Sequence, residues 1–142
     1  MASHRWTIAW LTLSAVLAAQ VLDDVMSGSY QAYSDTLNFL HQAFPQLPIP
    51  RFQFEVWLIN VSGAVVVLLC LTWLVARRFP IMRVASFALA VFGTGNALLH
   101  ILGFSSSDNS LIGSVLPPLL LAASLFLVLS VPPADDATRA AH

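Results

Sequence analysis

From Gln53 to Ala76 the chain carries one charged side chain, Glu55, in an otherwise near-continuous apolar run. About 20 apolar residues in helical form cross the hydrocarbon core of a bilayer. A helix apolar on every side has no place on the surface of a soluble domain. Three further runs have the same character: Trp6 to Met26, Ile81 to Phe104 and Leu111 to Val131. Composition agrees, with 58% hydrophobic and 9% charged residues, against about 45–50% and about 25% for soluble domains. The expected fold is all-α: an integral membrane four-helix bundle in a single domain over residues 1–131, with spans near 6–26, 53–76, 81–104 and 111–131. Residues 132–142 are expected to be a disordered cytoplasmic tail. The first run has a rival reading as a secretory signal peptide, because Arg5 precedes it and Val16-Leu17-Ala18 resembles a cleavage site.

The connector between the first two runs is polar. Within it Tyr33, Leu37, Leu40 and Phe44 recur at helical spacing. This predicts a short amphipathic helix along the membrane surface, ended by Pro45, Pro48 and Pro50. Pro117 and Pro118 are tolerable inside a membrane helix but predict a kink. All basic residues other than histidine are arginines, and their placement orients the chain. With both termini cytoplasmic, Arg5, Arg77, Arg78, Arg83 and Arg139 lie inside and only Arg51 outside. The net charge of −1 gives no basis for a nucleic-acid partner. Cys70 is the lone cysteine, so neither an intrachain disulfide nor a cysteine metal site can form. It reads as a small apolar packing residue.

This topology gathers polar residues from distant parts of the sequence into the outer half of the bundle. Gln20, Asp23 and Asp24 end the first span, Glu55 and Asn60 begin the second, and Asn96 and His100 end the third. Gln20, Asp23 and Asp24 stand at i, i+3 and i+4 and so share a helix face, as do Asn96 and His100 at i and i+4. Glu55 and Asn60 are separated by about 140° on a helical wheel, so they need not face together. A charged group in the middle of a span costs about 2.5–3.5 kcal/mol, so such groups pair, meet water or bind something. Asp24, Glu55, His100 and Asp23 are the candidate ligand or metal residues, with Gln20, Asn96 and Asn60 supporting. Carboxylates with one imidazole suit a divalent transition metal. They equally suit proton transfer on an apolar substrate. The bland alternatives are hydrated helix ends and interhelical hydrogen bonds.

The run Gln20-Val-Leu-Asp23-Asp24 resembles a variant of the HxxEE signature, which names a family of small bacterial membrane proteins of uncharacterised function. Asn96-Ala-Leu-Leu-His100 is similar to that family's later motif, and Pro117 or Pro118 to its proline-containing last helix. Gln20 stands where the family has histidine, and aspartates replace both glutamates. The missing imidazole removes a good metal ligand. The resemblance implies a polar site between helices and a bacterial inner membrane, but no substrate. The sterol-isomerase and sigma-2-like proteins offer only a fold-level analogy.

Two readings follow. In one, a small membrane protein binds a metal or a lipophilic small molecule at the polar site, with turnover an open possibility. In the other, the chain is a structural or accessory subunit whose polar residues meet partner membrane subunits. A transporter would require oligomerisation, since four helices enclose little space.

Overall fold

The computed structural model describes residues 2–28, 30–48, 52–102 and 111–133. Every regular element among them is a helix: α1 (Ala2–Ser27), α2 (Gln31–Ala43), α3 (Phe54–Ala76), α4 (Ile81–Ile101) and α5 (Leu111–Ser130). His4–Ser27, Phe54–Ala76 and Ile81–Ile101 are each long and apolar enough to cross a membrane. In α5 the apolar section is Val115–Ser130, and the helix runs on through Pro117 and Pro118. The described residues are thus all-helical, and three of the helices are suited by length and composition to a bilayer.

The expected boundaries are close for α3 and α5. α1 starts earlier than expected because His4 and Arg5, although polar, stay helical on an exposed face. α4 stops at Ile101, short of the expected Phe104. The expected loop at 105–110, the tail from 134 onward, Arg51 and Arg139 lie outside the described residues. α2 is the expected amphipathic helix, with Tyr33, Leu37 and Leu40 half-buried. Gly28, at φ 78, turns the chain out of α1, the left-handed conformation that glycine adopts without steric cost. The Tyr30 N–H then returns to the Asp24 carbonyl at 3.4 Å, which keeps the first turn of α2 beside the end of α1.

α1 is the centre of the bundle. It packs on α3 and on α5 and touches α4, while α4 packs on α5. Within the most apolar stretch of each helix, 44% of α1 residues are buried but only 6% in α3. α3 therefore leans on the bundle along one narrow stripe. This corrects the expectation for Cys70, which lies exposed on α3 because most of that helix faces outward. α3 and α4 are joined by a short turn yet make almost no contact with each other, which leaves a cleft between them.

Tryptophan ties the layers together. The Trp6 indole donates to Ser86 Oγ at 3.0 Å, linking α1 to α4. Trp10 donates to the Leu68 carbonyl at 2.9 Å, linking α1 to α3. Both indoles are buried, so their N–H groups need such partners. Ser86, Ala90, Gly93 and Ala97 form the buried face of α4. Their small side chains let backbones approach closely, the usual basis of helix packing in lipid.

Gly93 is the tightest point. A Cβ there would lie 2.5 Å from Ser124 Oγ, whose hydroxyl is held by the Leu120 carbonyl at 2.9 Å. Around Gly95 a Cβ would meet nothing within 4 Å. Gly93→Val is expected to destabilise the bundle by about 1–3 kcal/mol, as overpacking does. Gly95→Ala should stay within about 0.5 kcal/mol of the parent. Thermal unfolding in detergent checks both, and adding Ser124→Ala to Gly93→Val should recover part of the loss.

Candidate functional site

The cleft between α3 and α4 encloses a cavity of about 750 Å³. Its floor is α1, through Leu17, Gln20, Val21 and Asp24, and its walls are apolar residues such as Val61 and Val65 on one side and Leu89 and Phe92 on the other. Tyr33 and Trp57 close the end where α1 and α4 finish and α3 begins. A site of this size, apolar with a few convergent polar groups, is the usual form of a small-molecule pocket.

The polar groups converge on Asp24. Its residue is 2% exposed, deep in the bundle. It lies in the last turn of α1, where the negative end of the helix dipole disfavours a carboxylate. Donors from other positions compensate. Gln20 Nε2 donates to Oδ1 at 3.3 Å from one turn earlier. The Tyr33 hydroxyl donates to Oδ2 at 3.3 Å from α2. His100 Nε2 lies 4.0 Å from Oδ1 and comes from the last turn of α4. That separation is within ion-pair range but too long for a hydrogen bond.

Two polar groups at this end have unused capacity. Gln20 Oε1 is buried with no donor. Asn96 lines the cavity half-buried, and no hydrogen bond holds its amide. A buried acceptor without a donor costs about 1–3 kcal/mol, which a bound partner would return.

Of the residues singled out from the sequence, Gln20, Asp24, Asn96 and His100 come together here. Asp23 is on the same helix but turned aside, part-exposed, with its backbone carbonyl accepting from Ser27 Oγ at 2.7 Å. Glu55 and Asn60 do not join. Both are exposed on α3, because that helix rotates Trp57 and Val61 toward the cleft instead. Among the described residues no three His, Cys, Asp or Glu side chains converge as a metal site would require.

Tyr33 and Trp57 were not foreseen as site residues. The spacing in the connector placed Tyr33 on the apolar face of a surface helix, but nothing in the sequence tied that face to Asp24. Their rings are 5.6 Å apart, within an aromatic cluster that includes Tyr30 and Phe54. Burial, and then the Asp24 carboxylate, push the Tyr33 phenol well above the ordinary tyrosine value.

Comparison with protein-family models, with curated proteins and with solved structures finds no match to this chain.

The Tyr33 environment is testable in a Tyr30→Phe background, where Tyr33 is the remaining phenol. Asp24→Asn removes the negative charge that disfavours the phenolate, so Tyr33 should titrate at lower pH than in the parent. Ultraviolet phenolate absorbance reads this directly. An unchanged midpoint would mean that the two side chains are not in contact.

Proposed function

We propose that this chain is a small membrane protein that binds one lipophilic molecule whose head donates a hydrogen bond. The observation that carries the reading is the buried Gln20–Asp24 pair, joined by half-buried Tyr33, at the end of an otherwise apolar cavity of about 750 Å³. The apolar tail would lie between α3 and α4, with its head at Gln20, Asp24 and Asn96. The unfilled acceptor on Gln20 favours a head with a hydroxyl or an amine. An organic ligand fits the donor set better than a transition metal, which takes about four protein or water ligands. The HxxEE resemblance points the same way, since it implies a polar site between helices.

In this proposal α5 is the fourth crossing, after α1, α3 and α4. Both termini lie on the cytoplasmic side of a bacterial inner membrane, and α2 rests on the opposite surface. Arg5, Arg77, Arg78 and Arg83 at the ends of α1, α3 and α4 support that orientation.

A second reading, an accessory subunit of a membrane complex, is favoured by α3, most of whose apolar side chains outside the stripe on α1 are exposed. The two readings differ in detergent. A ligand-binding protein should purify as a defined particle of this chain alone, and an accessory subunit with other chains at fixed stoichiometry.

Trp57 in the cavity wall supplies the binding assay. A brominated long-chain alcohol should quench its fluorescence saturably, and the difference from Trp57→Phe isolates that signal. The alcohol should bind about tenfold more tightly than the brominated alkane of equal length, the worth of one buried hydrogen bond to a charged or unpaired group. Gln20→Leu and Asp24→Asn should abolish the preference. Unsaturable quenching, equal for both compounds, would refute the proposal.

A further inference from the structure

Charge is segregated along the bundle. Among the described residues, Asp23, Asp24, Asp35 and Glu55 lie at the cleft end or on α2, while Arg5, Arg77, Arg78 and Arg83 lie at the other. Asp24 with His100 is the only ion pair among them, so no arginine there faces a carboxylate. Arg5 and Arg77 rest on aromatic rings instead, 5.8 Å from the Phe126 centroid and 4.9 Å from that of Trp73.

Arg78 and Arg83 are less easily explained by solvation alone. Arg78 has φ 57 in the turn after α3. The Arg78 N–H bonds to Val75 and the Phe79 N–H to Leu74, at 3.0 and 3.1 Å. This is the helix-ending motif whose left-handed position normally takes glycine. An arginine there is strained, which fits a side chain retained for what it binds.

Arg83, in the first turn of α4, is part-buried, and its Nε is enclosed with no acceptor. Ser130 Oγ, at the end of α5, is also buried without a partner. The antiparallel register that sets Gly93 against Ser124 brings the last turn of α5 beside the first turns of α4. Trp6 on α1 reaches Ser86, one turn beyond Arg83. The enclosed Nε of Arg83 and the buried Ser130 hydroxyl each lack a hydrogen-bond partner, and a group from outside the bundle that supplies one would be stabilising at both.

We infer that this end of the bundle binds the phosphate of an anionic membrane lipid. Arg83 anchors it through its guanidinium fork, a shape matched to phosphate oxygens. Ser130 donates its hydroxyl, and Arg78 with Arg77 completes the collar. Exposed Trp73 and Phe79 beside the arginines offer a surface for acyl chains, which favours a lipid over free phosphate. The site is independent of the cleft.

The test is native mass spectrometry of the full chain titrated with dioleoylphosphatidylglycerol or dioleoylphosphatidylcholine. One phosphatidylglycerol should be retained in preference to phosphatidylcholine. Arg83→Gln should weaken retention by about fivefold, the effect of one arginine near a phosphate. Arg83→Lys, which keeps the charge but not the fork, should fall between. It also decides the matter if Arg83→Gln does not fold. Equal retention of the two lipids, or binding unchanged in both variants, would overturn the inference. Displacement of the lipid by millimolar inorganic phosphate would reassign the site to a free anion.

Discussion

The bundle depends on one constraint: α1 carries Gln20 and Asp24 at its buried end, and lipid cannot solvate them. A carboxylate in that setting needs donors or a counter-charge. The fold supplies them by placing α1 in the middle, with α3 and α5 on its sides, and by bringing Tyr33, in the first turn of α2, to its end. Gly28 is essential to that return, since it turns the chain back toward Asp24 and brings the Tyr33 hydroxyl within 3.3 Å.

The same arrangement creates the cleft. The Trp10 bond to Leu68 fixes α3 to α1, and the small-residue face of α4 fixes that helix to α5. Neighbours in sequence thus pack on different partners, and the space between them is lined by apolar side chains that neither helix covers. Polar groups appear only where α1 and α4 end. An amphipathic ligand, apolar along its length and polar at one tip, matches that distribution.

Much of the fold is legible in the sequence because its signals are local. Long apolar runs give the spans, the three- and four-residue spacing from Tyr33 to Leu40 gives α2, and prolines and arginines mark the ends. The candidate site is legible only in part. Gln20 with Asp24 and Asn96 with His100 can be paired by helical periodicity, since each pair is separated by four residues. The rotation of α3 cannot be read that way, because the helix is apolar all round and no stripe shows which face turns inward. Glu55 and Asn60 are therefore candidates by their polarity alone, and only tertiary packing shows that Trp57 faces the cleft in their place. Tyr33 is hidden for a related reason: its role depends on how sharply the chain reverses at Gly28.

The central claim is that α3 and α4 face each other across an open cleft floored by α1. Cysteine cross-linking in membranes tests it most directly, with Val65→Cys and Phe92→Cys in a Cys70→Ser background. These positions, on opposite walls of the cavity, should form no direct disulfide under mild oxidation but should be joined by a long bifunctional maleimide. Rapid formation of the direct disulfide would mean that α3 and α4 pack against each other, and would contradict the account.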